Sequence, residues 1–440
     1  MEKNKKFINI IKALVIAVVA IILVLGIAKV LLLKSEDGIN QFQAFYKQPE
    51  NSIDVIFSGS SKVYCDIATG VLWENHGIAA FDLGGAEAPS WVSYYQIKEA
   101  LKTQKPKVIC YEVSVAAMYD MLTQANNWST DNSYGMKWNR NRIDLLRVDS
   151  DEEQFIERLN PYNIMHGRYK DLEENDFTNV RDSVNYKGFD PRDRVNERET
   201  PDNAGITDCT PCTEKEEEYI RKLIELTRSE GIDLVMFASP YCVTDREQEI
   251  LNYVGNIAEE EGVEFIDFNR RYDELGMDFS SDMADSGHLN YSGNYKFTDY
   301  FGSLLKEKYD IPDRRGDSRY VSWDWDAAIQ NYERNASYIT NSDSAADIMN
   351  MTKNGYILFA VYDGKASIIK DGEVVAEGYD GFRIPYRYGG DSFLFKEFNE
   401  GEFEHYAILY INDDEIKQNY GNMMYVYDTV RHEYIRHIYF

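Results

Sequence analysis

Ser52-Ile53-Asp54-Val55-Ile56-Phe57-Ser58-Gly59-Ser60-Ser61 reads as a short apolar strand, residues 52–57, running into a glycine and a pair of serines. Outward from it the same unit recurs. Residues 78–83 form a second apolar run ending at Gly84-Gly85, and further runs occupy 107–113, 232–238 and 263–268. Helical spacing fills the intervals. Residues 90–103 follow Pro89 and precede Pro106. A helix over 216–230 opens with a capping box, Thr213 and Glu216, and stops at Gly231; another starts after Thr244, again with Glu three residues on. Short apolar strands alternating with helices predict an α/β fold, a parallel sheet covered on both faces. Ligands of such sheets sit at the carboxyl ends of the strands.

Two regions break the rhythm. Residues 116–212 are polar, partly helical and rich in Asn, Asp and Arg, which suits a lid or binding wall at the strand carboxyl edge. From about 314 onward Tyr-rich runs alternate with turns such as Tyr362-Asp363-Gly364 and Ile411-Asn412-Asp413-Asp414, the pattern of a separate β domain. The expected organisation is a tail and anchor over 1–34, an α/β domain over 35–312 containing the insertion, and a β-rich accessory domain over 313–440. A chain of 440 residues exceeds one ordinary core, so several parts are expected. With 75 acidic against 47 basic residues the net charge is −28, which argues against a nucleic-acid partner. Five Cys exclude a disulfide-built scaffold, and six His with no Cys/His cluster argue against a metal centre; no cofactor is expected.

The N-terminus sets the expected compartment. Lys3, Lys5 and Lys6 precede an uncharged run over 13–28; after Lys29 the apolar character resumes over 30–33 and ends at Lys34. About 20 apolar residues span a bilayer, and Lys29 can snorkel to the interface. A cleaved signal peptide competes, but its apolar region would be about 7–15 residues long, and Gly26-Ile27-Ala28-Lys29 is a poor cleavage site. The expectation is a single-pass anchor with the N-terminus cytoplasmic and the body extracellular.

Three loops hold the residues that could do chemistry. Ser61 follows the first strand. Gly84 and Gly85 end the second, where backbone N–H groups can approach a reacting oxygen. Asp285-Ser286-Gly287-His288-Leu289-Asn290 precedes the last helix of the alternating region; an Asp three residues before a His can orient the ring toward a nucleophile. Position 63 is Val, so the Gly-x-Ser-x-Gly elbow is absent and the α/β-hydrolase fold is disfavoured. Each loop alone is ordinary turn composition; their order is what carries meaning.

Together these blocks resemble the SGNH/GDSL hydrolase superfamily over roughly residues 50–310. Gly59-Ser60-Ser61 matches the family's Gly-Asp-Ser block, making Ser61 the nucleophile by position; Gly84 or Gly85 matches the glycine block; Asp285 and His288 match the closing Asp-x-x-His. The resemblance implies a flavodoxin-like three-layer sandwich and acyl-serine chemistry. The family's third block supplies an oxyanion Asn, and here Ala238-Ser239-Pro240-Tyr241 stands in its place, so either Ser239 or a backbone group substitutes or the hole is weak. The single anchor with Gly-Ser-Ser is similar to the membrane-tethered acyl-transfer branch, which includes the alginate O-acetylation proteins and the D-alanine transfer protein of teichoic-acid loading. That likeness implies a surface polysaccharide as acceptor and a membrane-bound O-acyltransferase as partner. An esterase, or a binding or scaffold protein that has lost the oxyanion hole, is the competing expectation.

Two further motifs stay open. Cys209-Thr210-Pro211-Cys212 suits an inert or loop-stapling pair better than redox or zinc chemistry. Trp323, Trp325, Tyr386 and Tyr388 could stack on sugar rings, though strand Tyr residues commonly serve packing. The expected topology has a direct check: protease added to intact cells should degrade everything beyond about residue 40, the end of the span that bilayer thickness allows. Full protection would reverse the orientation.

Overall fold

The computed structural model describes residues 2–31, 38–118, 128–160, 166–178, 186–353, 355–399 and 405–439. Five strands form the parallel sheet: β1 (Val55–Gly59), β2 (Ala80–Gly84), β3 (Val108–Glu112), β4 (Asp233–Ala238) and β5 (Glu264–Asp267). Their order is β2-β1-β3-β4-β5, the flavodoxin-like winding. The order reverses at β1, and the crevice at that point is where Ser61 emerges.

Alternate residues of each strand feed two apolar layers. Ile56, Phe81, Leu83, Ile109 and Met236 face the helices Ser90–Ala100, Glu214–Glu230 and Asp245–Glu261. Val55, Phe57, Val108, Val235 and Phe237 face the helices Ser61–Asp66, Thr69–His76 and Tyr291–Lys308. The period of two in the strands builds the three-layer sandwich that the alternation predicts. The helix after Thr244 has its full capping box. At Thr213 only half of the expected box forms: Thr213 accepts from the Glu216 N–H, but the Glu216 carboxylate turns away to Ser90, accepting its N–H at 3.1 Å and its hydroxyl proton. It thereby caps the start of the neighbouring helix.

The chain divides into two compact units, residues 1–331 and 332–440, with the boundary inside the helix Val321–Asn341. The expected strands immediately after 314 are therefore helix, and strands resume only at Tyr356. Trp323, a candidate for stacking on sugar in the β region, is a core residue of the α/β unit, 1% exposed and packed at tilted angles against Trp73 and Tyr320. Trp325, on the same helix, is exposed. Nine strands follow among the described residues: β6 (Tyr356–Tyr362), β7 (Lys365–Lys370), β8 (Glu373–Gly378), β9 (Arg383–Tyr388), β10 (Asp391–Asn399), β11 (His405–Ile411), β12 (Asp414–Tyr420), β13 (Met423–Asp428) and β14 (Glu433–Tyr439). They form two antiparallel sheets, in the orders β12-β11-β10-β9 and β14-β13-β6-β7-β8, sharing one apolar layer. Asp363-Gly364 joins β6 to β7, and Asn412-Asp413 joins β11 to β12, every turn residue at positive φ as two-residue hairpins require. Tyr386 and Tyr388 of β9 (Arg383–Tyr388) lean into that layer and serve packing.

One residue of the α/β unit conflicts with its surroundings. Asp82 stands opposite Phe57 in the β1–β2 register, so its side chain enters the same apolar layer. It is wholly buried and, among the described residues, neither carboxyl oxygen has a partner. Burial pushes its pKa well above the ordinary value. The folded state thus keeps a proton that the unfolded chain releases above its ordinary value of 3.8, so this group lowers stability as pH rises from about 4 toward neutrality. Asp82→Asn is expected to raise the melting temperature at pH 7 and change it little at pH 4. A variant no more stable at pH 7 than the parent would show that the carboxyl is ionised and paired.

Candidate active site

Ser61 owes its position to the sharp exit from β1. Gly59 adopts φ +151°, and a Cβ there would lie 2.7 Å from the Glu112 Cβ, so the backbone passes where only glycine fits. Ser60 then caps the helix Ser61–Asp66: its Oγ accepts from the Lys62 N–H and donates to Glu112 Oε2 at 3.0 Å. Glu112, at the end of β3, is buried and also takes the Ser114 N–H. The nucleophile loop is therefore tied to the neighbouring strand, and Ser61 opens the helix with its hydroxyl toward the crevice.

His288 and Asp285 come from the loop before the helix Tyr291–Lys308. Asp285 Oδ1 accepts the backbone N–H groups of Gly287 (2.8 Å) and His288 (3.0 Å), folding the loop around its own carboxylate. The same oxygen lies 2.9 Å from His288 Nδ1. A carboxylate only accepts, so Nδ1 carries the proton and Nε2 is left as acceptor. Nε2 lies 2.8 Å from Ser61 Oγ. Burial alone would raise the Asp285 carboxyl, but the bond and charge of His288, the Gly287 N–H and the Arg194 guanidinium outweigh it and hold the group well below the usual carboxylate range. Asp285 stays ionised at neutral pH.

The helix bearing Ser61 grips this loop at two points. Lys62 Nζ donates to the Gly287 carbonyl and lies 3.8 Å from the centre of the Tyr241 ring; the side chain is almost fully buried. One turn on, Asp66 Oδ1 accepts the Leu289 N–H at 2.9 Å. A third tie comes from the β4 exit, where the Cys242 N–H donates to Ser286 O at 3.0 Å. The insertion borders the acid side: the Asn196 N–H donates to Met283 O, and Arg194 donates to Ala284 O and to Asp285 Oδ2 at 3.1 Å.

The expected oxyanion donors fare differently. Gly84 lies close under the nucleophile loop, where a Cβ would meet Ser60 O at 2.8 Å. Gly85 gives its N–H to Gly59 O at 3.1 Å, which leaves it no proton for a developing oxyanion. Ser239 is buried with its hydroxyl unpartnered, and its carbonyl accepts from Asn269. Lys62, Asp66 and Glu112 were missed in the sequence; a lysine directly after the nucleophile and an acid closing an apolar strand were the available signals. Cys209 and Cys212 are not joined to each other.

Fold and constellation define a three-layer α/β protein with a serine, histidine and aspartate in hydrogen-bonding series at the strand carboxyl edge. No family model and no curated protein matches the sequence. Two solved structures are similar in part. A Bacteroides fragilis NCTC 9343 protein titled an acylhydrolase has a TM-score of 0.32 and 9% identity, over 63% of this chain and 99% of its own. A Parabacteroides merdae ATCC 43184 protein titled a GDSL-like lipase has a TM-score of 0.28 and 10% identity, over 59% of this chain and 99% of its own. Likeness at that level carries no argument about chemistry, so the geometry has to.

The grip predicts a contrast. Lys62→Met should lower kcat for p-nitrophenyl acetate about 10²-fold, the effect of a small misplacement at the reacting groups. Arg194→Ala should change it little, because the Arg194 side chain is 66% exposed and such a pair contributes only about 0–1 kcal/mol. Equal losses in the two variants would place the loop's support in the insertion instead.

Proposed function

We propose that the chain is a membrane-anchored serine acyl-transfer enzyme working through an acyl-serine intermediate. The observation that carries this reading is the 2.8 Å approach of Ser61 Oγ to His288 Nε2 with Asp285 behind Nδ1. In the first step Ser61 Oγ bonds to the acyl carbon while His288 Nε2 takes the hydroxyl proton, and Asp285 stabilises the imidazolium. His288 then returns the proton to the leaving oxygen. An acceptor hydroxyl repeats the sequence in reverse, giving up its proton to Nε2 as it attacks the acyl carbon and frees Ser61. The Gly84 N–H and the Ser239 hydroxyl are the proposed donors to the oxyanion.

The acceptor we propose is a surface polysaccharide. The strongly apolar 22-residue stretch Phe7–Ala28, none of it buried, suits an anchor that keeps the body beside the envelope, where polymers are the abundant acceptors. Residues 190–198 wall the acid side of the site, and a site poor in water favours a bound sugar hydroxyl through proximity. The net charge of −28 suits a neutral or amine-bearing glycan better than an anionic one. The acyl group would come from a membrane-bound O-acyltransferase, as the family resemblance implies. Hydrolysis by the same intermediate is the second reading, favoured by the partial exposure of His288 (24%) and Asp285 (27%), which lets water reach them.

Ser61→Ala or His288→Ala should reduce acyl turnover by about 10⁴-fold or more, because the members of such a triad act as a unit. If Ser60→Ala abolishes turnover and Ser61→Ala does not, the nucleophile is one residue away. Purified protein given an activated acetyl ester with glycan oligomers should form acetylated oligomer faster than free acetate. Acetate alone, whatever sugar is present, would make the protein an esterase.

A further inference from the structure

The insertion carries a feature that acyl transfer does not use. Leu31, the last described residue of the apolar helix Glu2–Leu31, accepts Arg168 Nη1 on its carbonyl at 3.2 Å. Arg168 also pairs with Asp176 at 2.9 Å, clasping the turn His166–Lys170 to the helix Glu174–Thr178. Both short elements pack against the apolar helix. Each turns one large aromatic outward: Tyr169 is 62% and Phe177 65% exposed. Exposed aromatic side chains beside an apolar helix call for something to cover them.

We propose that residues 166–178 seat the catalytic unit on a lipid bilayer, with Tyr169 and Phe177 entering the headgroup region; this rests on reading the apolar helix as an anchor. The covering phase is lipid because the helix these elements pack against is bare from Phe7 to Ile27, and whatever covers that helix lies beside them. Aromatic rings settle at that depth, with the apolar body in and the polar edge wet. Asp171, Glu173 and Glu174 are exposed alongside, so apolar burial drives the contact and neutral lipid is preferred to anionic. Seated this way, the unit holds its triad at a fixed height above the membrane.

The test keeps the anchor, because residues 166–178 lean on it. In full-length protein held in protein-free phosphatidylcholine nanodiscs, the amides of residues 166–178 should exchange about 10²-fold more slowly than in the Tyr169→Ser, Phe177→Ser double variant, roughly tenfold per buried aromatic. Turnover of p-nitrophenyl acetate should be unchanged in that variant, which separates lost docking from lost folding. The proposal fails if the two proteins exchange alike in nanodiscs. It also fails if the segment is protected in native membranes but not in protein-free nanodiscs, since the surface would then meet a protein. Alkaline carbonate extraction tests the anchor separately: release from the membrane would remove that reading whatever the exchange shows.

Discussion

The Asp66 carboxylate reaches from the end of the nucleophile helix to the Leu289 N–H, and with Lys62 on Gly287 it fixes the distance between two segments that sequence places far apart. The approach of Ser61 to His288 depends on that distance. Ser61 rides on one segment and His288 on the other, and neither side chain could hold the other in place by its own hydrogen bond. The arrangement has an electrostatic cost. Asp66 is wholly buried, its second oxygen has no partner, and burial drives its pKa up more than Lys62 and the Leu289 N–H bring it down. Here the buried carboxyl holds the loop that carries His288.

The local parts of this scheme were legible in the sequence, and the long-range parts were not. Asp285 and His288 sit three residues apart, so the turn that joins them is written in adjacent positions, as is the strand that delivers Ser61. The apolar strands announce themselves by composition, and their boundaries move by no more than three residues. Lys62, Glu112 and Asp66 are different: their partners lie 225, 52 and 223 residues away, and no local pattern marks a lysine or glutamate as buried. Trp323 was misplaced for the same reason. Its neighbours made the region read as the start of the β unit, whereas its indole N–H bonds Ala80 O and its ring fills the α/β core. Gly84 and Gly85 illustrate a third case, in which residue type was informative and role was not, because only the structure shows which N–H is already committed.

Polar groups inside this α/β unit are disposed with uneven care. Glu216 and Glu112 are buried but each caps or ties a segment start. Asp267 is held by Gln248 and Asn269. Asp82 has nothing, and it lies where Gly188 approaches so closely that a Cβ would meet the Asp82 carbonyl at 2.0 Å. The Asp82 N–H bonds Lys187 O at 2.8 Å, so the returning chain covers the edge of β2. Edge protection is thus supplied by backbone.

Glu216 has one more consequence. By leaving its own capping box to hold Ser90, it locks the first turn of the helix Glu214–Glu230 to the first turn of the helix Ser90–Ala100. Residues 116–212 leave the sheet after β3 and rejoin it at that lock. The stretch is thus pinned at its exit by a group outside it, and a change of length in its interior leaves the start of the helix Glu214–Glu230 where it stands.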